Sequence, residues 1–271
     1  MRGLTPGRFV KGILGVLGQR FRPPDSLQGN PVLETLYARR SVRRFTRAPV
    51  PSDVMAAILE AGRLAPSTVN LQTWSFGVFD TASWREALGT AIPFGGSAAV
   101  LICGDMHRAR RAIKGFPRKP LVDYTVSVMN ASIAAYAMNV AAEALGVGSV
   151  MLSDTGRSGF YHGLFIRDKL GLPEAVIPIM TLVLGYPAAR PAGAPPKLPL
   201  DQITFTGKYR ESDSSVMEHW LDGMMAGYRA AHVVKSFRGQ LNHYLSRVDD
   251  AERDLHRMIF YAPEEFRKKR I

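Results

Sequence analysis

One cysteine, Cys103, stands among 271 residues, so the chain can form no intrachain disulfide and no cysteine-rich metal site. The fold therefore does not depend on an oxidising compartment, and the cytoplasm is the expected location. Long apolar runs are also missing. The two strongest, Ala131 to Leu145 and Ala175 to Leu184, are broken by Asn139 and Glu143 or by Pro178, and both fall short of the roughly 20 residues a bilayer core requires. The six histidines never stand at the i, i+4 spacing of a helical metal site, so no metal is expected. Acidic residues are scarce beside basic ones, 23 against 35, which leaves a net charge of +12. Position decides what that excess means: residues 1–47 hold ten Lys or Arg against Asp25 and Glu34, whereas the rest of the chain is nearly balanced. A basic groove over the whole surface, and with it a nucleic-acid partner, is not expected.

What is present is ordinary for a soluble globular protein: 46% hydrophobic and 21% charged residues, enough for one large core. Asn30-Pro31 reads as a helix start, an N-cap side chain followed by proline at the first helical position. A second helix with Val54, Ala57, Ile58, Ala61 and Leu64 at helical spacing follows Pro49 to Asp53 and stops at Pro66. Strands are expected at Trp74–Phe79, Ala98–Cys103, Ser149–Leu152 and Ile177–Leu184; helices are expected at Ala82–Leu88, Val122–Leu145 and Tyr161–Leu170. Alternation of strands with helices gives an α/β or α+β class. Prolines 187, 191, 195, 196 and 199 keep the next stretch extended, and Ser215 to about Ile259 turns helical, with an apolar stripe from Met217 through Val234 to Val248. Three parts follow: a basic leader over 1–29, a body over 30–209 and a helical extension over 210–271. The leader interleaves Arg2, Arg8, Lys11, Arg20 and Arg22 with apolar residues, and it reads as a flexible arm packing loosely on the body. The same interleaving suits a weak contact of residues 1–22 with an anionic membrane surface.

Two segments carry candidate chemistry. In Arg39-Arg40-Ser41-Val42-Arg43-Arg44-Phe45, extended alternation sends Ser41, Arg43 and Phe45 one way and Val42 and Arg44 the other, so that Arg39, Ser41 and Arg43 could converge on one phosphate. The pattern equally suits a solvated basic face. In Ala65-Pro66-Ser67-Thr68-Val69-Asn70-Leu71-Gln72-Thr73-Trp74, hydroxyls and carboxamides fill a loop ahead of an aromatic strand. Such groups both donate and accept, which suits the edge of a heterocycle, or equally a loop that satisfies its own backbone. Cys103, in an apolar run, reads as a small buried hydrophobe. Gly95-Gly96-Ser97 reads as a strand entry, because the glycine that would complete a nucleophile elbow is missing.

Taken together and in this order, these segments resemble the nitroreductase family of FMN-dependent oxidoreductases. The resemblance runs from about Val32 to Phe205 and includes Leu145-Gly146-Val147-Gly148-Ser149, Leu170-Gly171-Leu172-Pro173 and Leu184-Gly185-Tyr186-Pro187. It implies an α+β fold, a central mixed or antiparallel sheet flanked by helices, to which this chain adds its C-terminal helical extension. It also implies a homodimer. By resemblance, Arg39, Arg40, Ser41 and Arg43 hold the FMN phosphate and ribityl chain, and Lys197 adds a second phosphate contact. Pro66, Ser67, Thr68 and Asn70 meet the flavin ring, usually from the partner subunit, and the backbone near Ser153 and Asp154 donates close to flavin N5. The implied activity passes electrons from NADH or NADPH through FMN to a small acceptor, a nitroaromatic, a quinone or another, in a ping-pong sequence with no side chain assigned as the acid. Thr73 stands where the family often has proline. The competing expectations are another flavin reaction on this fold, such as dehydrogenation, dehalogenation or flavin fragmentation, and a basic non-catalytic protein bound to nucleic acid or membrane.

Overall fold

In the computed structural model, which describes residues 5–18, 21–191, 193–231 and 236–260, the chain begins with α1 (Pro6–Gly18), α2 (Pro31–Ala38) and α3 (Ser52–Arg63). It continues through β1 (Trp74–Asp80), α4 (Thr81–Leu88), β2 (Ala98–Asp105), α5 (His107–Ala112), α6 (Pro120–Ala144), β3 (Gly148–Leu152), α7 (Gly163–Leu170) and β4 (Val176–Gly185). The last helices are α8 (Leu200–Ile203), α9 (Ser214–Ala231), α10 (Phe237–Leu245) and α11 (Val248–Phe260). By its contacts the chain divides into two compact units, one holding residues 26–190 with the described part of 248–271, the other holding residues 191–247 with the described part of 1–25.

The larger unit is built on a four-stranded sheet in the order β1-β2-β4-β3, every neighbouring pair antiparallel. Alternation along β2 sorts the core: Ala98, Val100 and Ile102 face one cluster with Ile58, Ala134, Ala135 and Met138, and Ala99, Leu101 and Cys103 face another with Trp84, Leu88 and Ile166. Helix α6 covers the first face with small residues, Ala131, Ala134, Ala135 and Ala142. Its other face is apolar as well: Val122, Met129, Ile133 and Tyr136 are exposed. Local signals place the helices. The Asn30 carboxamide accepts from the Val32 and Leu33 N–H groups at 3.1 Å each, and Asp80 and Ser83 form a reciprocal capping box that starts α4. Helix α11 returns to this unit and packs on α6 and α7, with Met258 buried against Gly163.

Three expectations need correction. The arm over 1–29 is not simply flexible, because α1 lies on α9 within the smaller unit. Gly12 allows this approach: a Cβ there would stand 2.7 Å from the Ala226 Cβ. Arg8 Nε also donates to Asp222 Oδ2 at 2.6 Å. The long C-terminal stripe is not one helix either. The Ser236 hydroxyl caps a new helix by accepting from the Gly239 N–H at 3.0 Å, and the chain turns again at Ser246 and Arg247, so α9, α10 and α11 are separate. Val234 lies outside the described residues. Finally, Phe160–His162 forms a 3-10 turn, and α7 starts only at Gly163. Among the described residues, no helix is long and apolar enough to cross a membrane.

Candidate functional site

Residues 39–46 form a strap along the free edge of β3. Ser41 bridges Ser149 in parallel sense, Val42 N donates to Ser149 O at 2.9 Å, Thr46 N donates to Tyr186 O at 2.8 Å, and Ala188 N donates to Arg44 O at 2.9 Å. Val42 is 1% exposed and Phe45 packs on the second core cluster, so two apolar side chains pin the strap and leave Arg43 and Arg44 outside. The strict alternation read from the sequence is therefore not kept. Two separate bridges, a parallel one from Ser41 to Ser149 and an antiparallel one from Phe45 to Pro187, turn Phe45 inward with Val42. Arg40 Nη1 donates to the carbonyls of Tyr37 and Arg39 at 2.7 and 2.8 Å, closing the end of α2. Arg43 Nη1 reaches only the Ser41 carbonyl, at 3.5 Å, and its guanidinium carbon lies 5.9 Å from the Phe94 ring centroid. Among the described residues no carboxylate pairs with Arg39, Arg43, Arg44 or Arg47.

Behind the strap, Asn139 of α6 donates through Nδ2 to Ser149 Oγ at 2.8 Å, and both residues are buried. Asn139 Oδ1 is buried without a partner among the described residues.

The loop over 66–73 is held differently. Val69, Asn70 and Gln72 sit at φ of 49°, 55° and 48°, three left-handed non-glycine residues interrupted by Leu71 at φ −70°. Val69, β-branched and the least suited to that region, is 88% exposed. Ser67 folds the loop back on itself: its carbonyl accepts from Asn70 N and its hydroxyl from Gln72 N, both at 3.0 Å. Beneath it, Asn130 Oδ1 accepts from Thr68 N and Thr68 Oγ1 at 3.2 Å each, and Nδ2 donates to Thr73 Oγ1 at 2.8 Å. Pro66 and Asn70 are exposed. At the other end of β3, Ser153 O accepts from Tyr161 N at 3.3 Å, and Asp154 Oδ1 accepts from Thr155 Oγ1 at 3.1 Å. Lys197 belongs to the smaller unit.

The two chemistry-bearing segments thus stand at opposite edges of one sheet. The loop runs into β1, the strap lies beyond β3, and four interstrand spacings put them about 19 Å apart. Their anchors agree: Asn130 and Asn139 are two and a half helical turns apart, hence on opposite flanks of α6. Between the edges lies buried Cys103, whose thiol is pushed up to about 12 by burial and then by the Asp105 charge. Among the described residues no group of His, Cys, Asp and Glu could hold a metal ion.

A model of the Nitroreductase family matches residues 36–93 and 88–186, a span that starts in the last turn of α2 ahead of the strap and ends just past β4. The chain belongs to the nitroreductase family. Its relatives include an FMN reductase [NAD(P)H] of Bacillus subtilis, 29% identical over 197 residues that cover 68% of this chain and 76% of the relative. An oxygen-insensitive NADPH nitroreductase of Salmonella typhimurium is 27% identical over 208 residues, 73% of this chain and 82% of the relative. Among solved structures, NfrA2 of B. megaterium has a TM-score of 0.72 at 21% identity, over 86% of this chain and 99% of that one, which establishes the nitroreductase fold. The antiparallel sheet resolves the mixed-or-antiparallel alternative, with the strap adding a parallel bridge.

Sequence reasoning placed Thr73 in this nitroreductase loop but missed Asn130 as the residue beneath it that pairs with Thr68 and Thr73. A signal was available: Asn130 is a carboxamide next to the alanine face of α6, where a buried polar side chain is retained only if something satisfies it.

Proposed function

We propose that the chain binds FMN and passes electrons from NADH or NADPH to a small acceptor, a nitroaromatic, a quinone or a similar oxidant, in a ping-pong sequence, as a homodimer with two composite sites. The observation that carries this reading is the strap itself, where Arg43 and Arg44 face outward with no carboxylate paired to them among the described residues, held in place through backbone bonds. Such a donor set fits a phosphate ester. The guanidiniums of Arg39 and Arg43 would grip it through forked N–H groups, the Ser41 hydroxyl would donate, and Arg40 would add positive charge.

FMN, when bound, supplies the reversible two-electron transfer that no side chain of this site offers. The protein binds and orients. Pro66 stiffens the entry to the loop, and Ser67, Thr68 and Asn70 offer donors and acceptors in the mixture that the edge of a flat heterocycle requires. Backbone N–H groups at Ser153 and Asp154 would donate to the ring where negative charge develops, with no side-chain acid needed. Because loop and strap lie at opposite edges of one sheet, the loop of one protomer would serve the strap of the other. The exposed apolar face of α6, with Val122, Met129, Ile133 and Tyr136, supports a second copy as its cover. The relatives' names, an FMN reductase and an NADPH nitroreductase, support the donor and the cofactor.

The test is optical. Purified protein supplied with FMN should be yellow and should bleach anaerobically on addition of NADH or NADPH, then recover its colour with a quinone. Protein that stays colourless in FMN would overturn the reading.

A further inference from the structure

One buried carboxamide closes the loop at both ends. Asn130 is 2% exposed, in the middle of α6, and it uses three hydrogen bonds on the loop: two accepted from Thr68, at the start, and one donated to Thr73, at the end. The orientation of the amide is fixed by these partners, since the Thr68 N–H can only donate and so must face Oδ1. Between the two clamped positions lie all three left-handed residues, Val69, Asn70 and Gln72. Non-glycine residues keep such angles only where the surroundings enforce them. The loop's own bonds, among them those to the Ser67 carbonyl and hydroxyl, close it on itself, and Asp105 N of β2 holds its end by donating to the Thr73 carbonyl at 3.0 Å; Asn130 ties both ends to a 25-residue helix that spans the sheet. Thr73 completes the device: its wholly buried hydroxyl accepts the hydrogen bond from Asn130 Nδ2, which a proline at this position could not do.

We infer that Asn130 is a positioning residue for the flavin-facing loop, fixing through Thr68 and Thr73 where Thr68 and Asn70 stand against the ring. The inference rests on the proposed FMN reading for its chemical consequence. Asn130 itself would touch neither flavin nor substrate. Its effect is on geometry, and a displacement of about 1 Å in a positioning group can cost on the order of a hundredfold in rate. The phosphate grip sits at the opposite sheet edge and is independent of it.

The experiment compares Asn130→Leu, Asn130→Asp and Thr73→Val with the wild-type holoprotein, measuring FMN affinity, steady-state kcat and KM with NADPH and a quinone, and amide hydrogen exchange of residues 68–72. Asn130→Leu should keep more FMN affinity than Asn70→Ala does, because strap and loop side chains are all still present, lose at least tenfold in kcat, and exchange faster in the loop. Asn130→Asp should recover to within about threefold of wild type, because its carboxylate still accepts from Thr68 and the Thr73 hydroxyl can turn to donate. Thr73→Val should fall between them, and it decides the matter should Asn130→Leu fail to fold. Wild-type kcat in Asn130→Leu or in Thr73→Val, or an Asn130→Asp variant as impaired as Asn130→Leu, would overturn the inference. Failure of the cofactor reading is separable: the wild type would then bind no FMN, while faster loop exchange in Asn130→Leu would still report the clamp.

Discussion

The strap and the loop are both short, polar segments of one unit, yet they are held by opposite means. Residues 41–46 are fixed by main-chain bonds to β3 and to the Tyr186–Ala188 turn, with Val42 and Phe45 as apolar pins, so the arginines have no structural duty beyond Arg40's closure of α2. Residues 66–73 have a strained main chain and rely on side chains, Ser67 from within and Asn130 from below. The difference has a consequence for mutation. Strap arginines can be changed at the cost of ligand affinity alone, whereas polar changes under the loop shift geometry.

The largest expected effect is on the strap. Removing two strap arginines in Arg39→Ala/Arg43→Ala should weaken FMN by a hundredfold or more, since each charge-assisted bond contributes about 1.5–3 kcal/mol. Arg43→Ala alone should weaken it about tenfold or more. Isothermal titration checks both, and the apoprotein's melting temperature should stay within about 1 °C of wild type. Riboflavin, without the phosphate, should bind wild type far more weakly than FMN does.

Truncating a pin should do the reverse. Val42→Ala removes a buried side chain between Gly148 and the strap and should cost about 2 kcal/mol in urea unfolding, with the affinity of the remaining folded protein for FMN reduced less than in the double arginine variant. A Val42→Ala protein as stable as wild type would break the comparison.

Cys103, on β2 between the two edges, sharpens it. Its thiol, raised from 9.0 to about 12, stays protonated in the folded chain, so iodoacetamide at pH 8 should label native protein at least tenfold more slowly than urea-unfolded protein. The sign follows for stability too. Above pH 9 the unfolded chain loses this proton and the folded chain does not, so the contribution is full below 9 and is lost between about 9 and 12. Labelling of Arg39→Ala/Arg43→Ala should match wild type, because the strap's side chains do not hold the sheet together.

The smallest effect is on loop strain. Val69→Gly removes a β-branched side chain from a left-handed angle at an 88% exposed position and should stabilise the protein by about 0.5 kcal/mol, the relief of strain exceeding the entropy glycine adds to the unfolded chain. A destabilised Val69→Gly protein would show that the loop is not strained there.

The same contrast explains what the sequence revealed. Elements set by local signals were legible: the Asn30 cap with Pro31, the alternation of β1, the apolar run of β2, and the helices expected to stop at Leu88 and Leu170, where Gly89 and Gly171 take the left-handed region. So were the two segments proposed to carry the chemistry, because arginines on an extended stretch and amides in a loop announce their donors. What was not legible depends on partners distant in sequence. Asn130 meets Thr68 across 62 residues, Arg8 meets Asp222 across 214, and neither pairing leaves a periodic trace. The inward turn of Phe45 was hidden for the same reason, since it comes from pairing near Pro187 and not from the strap's own alternation.

The central claim is that one site is completed by two chains, strap from one and loop from the other. It is tested most directly by mixing Arg43→Ala protomers with Asn70→Ala protomers, verifying exchange by native mass spectrometry, and titrating FMN into the isolated heterodimer. Both lesions then fall in one site and leave the other intact, so one FMN per heterodimer should bind with wild-type affinity while each parent homodimer binds weakly. A heterodimer that binds no better than its parents would contradict the claim and place strap and loop in the site of a single chain.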